Sequence, residues 1–125
     1  MILDTNALSA FADEDAKFEP VLRLAKRCAI PVIVLGEYRY GISQSKHHDE
    51  YRAWLKAQLR HFELLSVIPE TAGYFAELRL ELKKAGTPTP ANDLWIAALA
   101  RQHNLPIASR DTHFDLVSGV RRIGW

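Results

Sequence analysis

Met1-Ile2-Leu3-Asp4-Thr5-Asn6 begins the chain with a short apolar run that stops at an acid, and the same design returns twice. Ile30-Pro31-Val32-Ile33-Val34-Leu35 precedes Glu37, and Leu105-Pro106-Ile107-Ala108 precedes Asp111. Short apolar runs bounded by polar or turn residues read as buried strands, and helical patterns lie between these three. The alternation predicts an α/β fold, a three-layer α/β/α sandwich with a central, mostly parallel sheet. In such sheets ligands bind in the crevice at the carboxyl ends of the strands. The three acids therefore converge on one crevice from distant parts of the chain, and Asp93, which opens a later helix, joins them. Clustered carboxylates repel one another unless they hold something positive, and a hard divalent metal is the usual occupant.

Working outward, strands are expected at about 1–4, 31–34, 64–68 and 106–108, with a closing edge strand over 120–125. Helical patterns cover roughly 6–13, 18–28 and 47–62, and Glu37 sits on a helix that follows the second strand directly. Thr71 reads as the cap of a helix that Gly86 stops. In Thr87-Pro88-Thr89-Pro90, Thr89 suits an N-cap and Pro90 a first helical residue for a helix running to about His103. Asp93 then falls in the first turn, where the macrodipole favours a carboxylate. There is no internal repeat, low-complexity segment or long linker.

The chain has 125 residues, a length typical of one domain, here residues 1–125. Its 48% hydrophobic content builds an ordinary core without a disulfide or zinc staple. Cys28 is the only cysteine, excludes an intramolecular disulfide, and reads as a small apolar side chain in a reducing cytosol. The first residues lack the pattern of a signal peptide, and no run approaches the roughly 18 apolar residues of a membrane span. A cytoplasmic protein with no membrane partner is expected. Net charge is +1, which neither demands nor excludes nucleic acid. Between Tyr38 and His61, however, Arg39, Lys46, Arg52, Lys56 and Arg60 interleave with Tyr38, Tyr40, Tyr51 and Trp54. Basic groups among aromatics suit phosphate contact and base stacking, and a solvated helix with inward aromatics is the plainer alternative.

Four local sequences narrow the chemistry. Asp4-Thr5-Asn6-Ala7-Leu8-Ser9 follows the first strand, and Gly36-Glu37 opens a helix in the first third. Pro90-Ala91-Asn92-Asp93-Leu94-Trp95-Ile96-Ala97-Ala98 starts a helix in the last third, and Ala108-Ser109-Arg110-Asp111-Thr112-His113-Phe114 follows a strand. Together, and in this order, the set resembles PIN-domain ribonucleases, specifically the VapC-type toxins of bacterial toxin–antitoxin pairs. The resemblance covers essentially the whole chain. It implies an endoribonuclease with an acidic Mg²⁺ site, Mn²⁺ being the alternative ion, in which Asp4, Glu37, Asp93 and Asp111 are the catalytic, metal-holding acids. It places Asn6 and Ser109 as supporting residues that orient ligands. Asp115 is the alternative to Asp111 as fourth acid. The implied partners are an RNA substrate, a cognate antitoxin and a second copy of the chain in a homodimer.

The residue types suit the reaction. A phosphodiester is anionic and resists attack by neutral water, and a divalent cation held by carboxylates orients the water and offsets charge at phosphorus. Hard oxygen ligands select Mg²⁺ or Mn²⁺ over zinc. Each acid alone has a plain structural explanation as a cap, turn former or solvated helix residue; four such coincidences at one end of one sheet do not. A phosphoacceptor receiver domain is disfavoured because no Lys lies beyond Lys84, and a haloacid-dehalogenase-type phosphatase because Asp-Thr-Asn replaces Asp-x-Asp. The remaining alternative is a catalytically silent PIN-like module that binds RNA or protein.

Overall fold

Pro31 ends the second apolar run as a strand, and that single break sets up the rest of the fold. The computed structural model describes residues 1–125, and in it Val32-Ile33-Val34-Leu35 is already helical. The sequence places the strand at 31–34; its true position is Ala29–Pro31. Proline lacks the N–H that a longer ladder would need, and its fixed φ suits the cap that launches the following helix.

The chain runs β1 (Ile2–Leu3), α1 (Thr5–Ala12), α2 (Glu19–Leu24), β2 (Ala29–Pro31), α3 (Val32–Ser43) and α4 (His48–Gln58). A 3₁₀ turn over Leu59–His61 leads to β3 (Glu63–Leu65), α5 (Pro69–Lys84), α6 (Ala91–His103) and β4 (Ile107–Ala108). A second 3₁₀ turn, Thr112–Leu116, precedes β5 (Arg122–Ile123). The five strands are parallel and ordered β3-β2-β1-β4-β5. The chain thus leaves β1 in one direction to β2 and β3, then returns to the other side for β4 and β5. The switch point lies between β1 and β4, whose carboxyl ends carry Asp4 and Ser109.

Helices flank both faces, as the three-layer expectation holds. On one face Ile2, Ile30, Val34, Leu78, Ile96, Leu99 and Ile107 are buried together; on the other, Leu3, Ala7, Phe18 and Ala108 form a smaller cluster. Neighbouring residues of one strand, such as Ile2 and Leu3, serve opposite faces because successive strand side chains alternate. Burial of these fully enclosed aliphatic side chains contributes about 1.5–3 kcal/mol each.

Several caps differ from the sequence reading. Thr71 does not begin α5. Ile68 is the cap residue and Pro69 the first helical one, while Thr71 sits at the third helical position, fully buried. Its hydroxyl accepts from Ile68 N at 3.1 Å and donates to Gln102 Oε1 at 2.6 Å, so it closes the helix start and ties α5 to α6. Likewise Pro90 is the cap of α6 and the helix begins at Ala91, with Thr89 donating instead to the Thr87 carbonyl at 3.4 Å. The proposed helix at 18–28 is only Glu19–Leu24. Between Tyr38 and His61 the aromatics mostly face inward: Tyr38 is buried, and Tyr51 and Trp54 pack on the core, leaving Tyr40 exposed. No helix is long and apolar enough to cross a membrane.

Candidate active site

Strand ends and helix starts bring the acids together. Asp4 leaves β1 and caps α1, its Oδ1 accepting from Thr5 N at 2.8 Å. Its Oδ2 accepts from Ser109 Oγ at 2.7 Å and Asn6 Nδ2 at 3.2 Å. Ser109 reaches this position because β4 is the parallel neighbour of β1, with Leu3 opposite Ala108. Its Oγ also accepts from Asp111 N at 2.9 Å, and Asn6 Oδ1 accepts from Arg110 N at 3.0 Å. Asn6 and Ser109 therefore join the segment after β1 to the segment after β4, and Asp4 and Ser109 are both buried.

Asp111 begins the turn after β4, where its Oδ1 accepts from His113 N at 2.9 Å and lies 2.7 Å from His113 Nδ1. Glu37, in the second turn of α3, is held from two sides. Thr5 Oγ1 donates to Oε2 at 2.6 Å, and Asn92 Nδ2 donates to Oε1 at 2.7 Å. Neither Thr5 nor Asn92 stands out in the sequence. The one available signal is adjacency, because Thr5 follows Asp4 and Asn92 precedes Asp93. Asp93 itself occupies the first turn of α6.

The electrostatics show that the acids share one region. The Asp93 carboxyl is pushed up to about 6, first by burial and then by the charges of Asp4, Asp111 and Glu37. Burial likewise raises Asp4, against the hydrogen bonds from Ser109 and Thr5 and with the charges of Glu37 and Asp111 adding to it. Burial also acts to raise Asp111, but the hydrogen bonds from the His113 backbone and ring outweigh it and hold the carboxyl below its usual range. No three Asp, Glu, His or Cys side chains form a closed cage that grips a cation as they stand. The four acids are neighbours that feel one another's charge.

Asp115 stands apart. It is exposed and forms a bidentate pair with Arg122, whose Nε and Nη2 donate at 2.9 and 3.0 Å. Arg122 Nη1 also donates to the Ser109 carbonyl at 3.0 Å. Arg122 thus anchors the turn holding Asp111 and Asp115. Arg110 is also engaged, with Asp15 at 2.6 Å and over the Trp125 ring at 4.8 Å. His47 Nδ1 lies 3.7 Å from Glu50 and His48 Nδ1 3.0 Å from Asp49, and Trp95 stacks on Phe75 at 4.0 Å between ring centroids.

A family profile described as the PIN domain matches residues 1–120. The chain belongs to the PIN-domain family. It is 31% identical to ribonuclease VapC5 of Mycobacterium tuberculosis over 98% of this chain and 90% of that protein. Among solved structures, VapBC2 from Rickettsia felis, bound to a DNA fragment from their promoter, superposes with a TM-score of 0.88 at 28% identity, covering 99% of this chain and 97% of that one. VapBC-5 from Mycobacterium tuberculosis, a member of the VapBC family of toxin–antitoxin systems, superposes with a TM-score of 0.78 at 30% identity, covering 99% and 97%. The PIN-domain match extends from β1 to the residues just before β5, so all four acids lie within it.

Proposed function

We propose that the chain is a metal-dependent endoribonuclease and the toxin of a type II toxin–antitoxin pair, with Asp4, Glu37, Asp93 and Asp111 as its acidic site. The observation that carries this reading is the hydrogen-bond set through Ser109, Thr5 and Asn92 that ties the segments bearing Asp4, Asp111, Glu37 and Asp93 into one region. There burial and the other three acids push the Asp93 carboxyl up to about 6. Such a cluster costs folding free energy in the absence of a cation, and cost of that kind concentrates at functional sites. Relatives named ribonucleases, and toxin–antitoxin complexes of the same fold, supply the class of reaction and of partner.

The donor set fits Mg²⁺ or Mn²⁺: it is all oxygen, it carries excess negative charge, and burial with neighbouring acids raises Asp4 and Asp93. Asp4, Asp93 and Asp111 would hold the ion, which supplies charge neutralisation at the scissile phosphate. Binding would require these side chains to approach one another, since no three of them stand as a ready ion site. Ser109 and Asn6 keep Asp4 and the start of the Asp111 turn in register while this happens. Glu37 keeps both oxygens as acceptors of neutral donors and is suited to orient the attacking water and take its proton. The water oxygen bonds to phosphorus, the P–O3′ bond breaks, and the leaving oxygen takes a proton from solvent.

An antitoxin would cover this crevice and the neighbouring α3–α4 surface, and an arginine from it would pair with the free carboxylates. A C2 homodimer through helical surfaces is proposed as well, since Val32, Tyr40 and Leu80 leave apolar side chains exposed. The enzymatic reading is tested by incubating the chain with total RNA in Mg²⁺, in Mn²⁺ and in EDTA, beside the Asp93→Asn variant. Cleavage by wild type with either ion, abolished by EDTA and by the substitution, is expected. Metal-independent cleavage, or an Asp93→Asn variant of full activity, overturns it.

A further inference from the structure

Glu37 is the one acid of the site whose two oxygens are each fixed by a neutral side chain from a different element. Thr5 reaches it from the start of α1 and Asn92 from the first turn of α6. Asn92 is exposed and lies outside both core clusters, so packing does not explain its place. It immediately precedes Asp93, and its Nδ2 stands 2.7 Å from Glu37 Oε1 across 55 residues of chain. A glutamate has three rotatable side-chain bonds, and one hydrogen bond leaves its carboxylate free to swing. A second donor on the other oxygen fixes both its position and its plane.

We infer that Asn92 is a positioning residue of the nuclease site, holding the Glu37 carboxylate at a set distance from Asp93. The role needs a carboxamide: it donates to an anion without adding charge to a region that already carries four acids. It rests on the nuclease reading above and adds a residue to it. Asn92 acts through Glu37, its hydrogen-bond partner.

One isosteric substitution and one truncation separate this role from a structural one. Aspartate in the first turn of a helix complements the macrodipole, so Asn92→Asp preserves or improves α6. It cannot donate to Glu37, and it adds a like charge beside it. Asn92→Asp and Asn92→Ala are therefore compared with wild type by thermal melting in EDTA, and by cleavage of a synthetic RNA in Mn²⁺ with kcat and KM separated. Asn92→Ala should melt with wild type or close to it and retain KM, while Asn92→Asp should melt earlier in EDTA because of the added like charge. Both should lose about 10- to 100-fold in kcat, the range found when residues that orient metal-site ligands are removed. In a Glu37→Gln background, Asn92→Ala should cost no further activity, because the residue it serves is already disabled. In the metal-free protein, the Asn92 side-chain amide protons should stand apart from other asparagines in ¹⁵N-edited spectra and collapse toward them in Glu37→Ala.

Full activity of Asn92→Asp overturns the inference, as does an Asn92→Ala loss that multiplies with that of Glu37→Gln. A wild type that cleaves no RNA overturns the nuclease reading, and the positioning role of Asn92 with it. A wild type that cleaves beside an equally active Asn92→Asp overturns the role of Asn92 alone.

Discussion

Ser109 Oγ donates to Asp4 Oδ2 at 2.7 Å, joining two buried side chains that stand 105 residues apart in sequence. The bond exists because β1 and β4 are adjacent and parallel at the switch point of the sheet, so their carboxyl ends open at the same level. It makes Ser109 the joint of the site: the same hydroxyl accepts from Asp111 N and Asn6 Nδ2, and the residue's carbonyl accepts from Arg122.

Ser109→Ala should therefore destabilise the metal-free chain by about 1–3 kcal/mol, because it leaves a buried Asp4 oxygen short of a donor. Chemical denaturation in EDTA measures this. The Asp4 carboxyl, already raised by burial, should rise further and weaken ion binding. A variant as stable as wild type contradicts the assignment of Ser109 as a joint.

Stability should also depend on pH through Asp93. Its folded carboxyl titrates near 6 against an ordinary value of 3.8, so between those limits the folded chain binds more protons than the unfolded one. In EDTA the stability contribution of this group is then fully present below 3.8, falls as pH rises through 6, and is constant above. Asp93→Asn should flatten that decline and be the more stable protein at pH 7.5, by about 0.5–2 kcal/mol, an effect limited by solvent screening. Asp111 has the opposite sign. Its lowered carboxyl contributes stability above the ordinary range, lost as pH falls, and Asp111→Asn should forfeit it. Urea melts across pH 4–8 test both signs; a wild-type chain whose stability climbs between pH 4 and 6 in parallel with Asp93→Asn contradicts the first.

The sheet was legible because its signal is coarse: apolar runs ending in acids, separated by helical stretches, admit few layouts. The same signal marked Asp4, Glu37 and Asp111 as candidates, and the start of a later helix marked Asp93. What escaped was set by single atoms. Pro31 moves a strand boundary, since one missing N–H decides where the ladder stops. Thr71 resembles a cap and works two residues inside its helix, because its hydroxyl finds Gln102 across a packing contact that no local pattern records. Thr5, Asn92 and Arg122 carry ordinary polar side chains whose partners lie 32, 55 and 7 residues away. Their importance comes from where the fold delivers them.

The choice between Asp111 and Asp115 as fourth acid can be tested directly. Asp115 is bound on both oxygens by Arg122. Asp115→Asn should leave stability close to that of wild type, as for an exposed pair, and retain RNA cleavage. Asp111→Asn should lose cleavage. The reverse pattern in one cleavage assay would hand the role to Asp115.

Cleavage products should carry a 5′-phosphate and a 3′-hydroxyl, because water is the nucleophile and the P–O3′ bond breaks. A single 2′-deoxy substitution at the scissile nucleotide should therefore still be cut. End-group analysis by phosphatase and ligase treatment reads the outcome, and 2′,3′-cyclic phosphate ends would contradict a hydrolytic mechanism.

The central claim is that Asp4, Glu37, Asp93 and Asp111 form one cation-binding site. Thermal melting of wild type and Asp93→Asn in EDTA and across a Mg²⁺ series tests it most directly, since an ion that binds only the folded state stabilises it by linkage. Wild type should rise steadily with Mg²⁺, by about 2.7 kcal/mol at one hundred times the dissociation constant. Asp93→Asn should begin higher in EDTA and respond far less, while Asp49→Asn, at an exposed position of α4, should track wild type throughout. An Asp93→Asn variant that melts earlier than wild type in EDTA and gains as much from Mg²⁺ would make Asp93 a structural cap of α6, and the site would lose the residue that defines it.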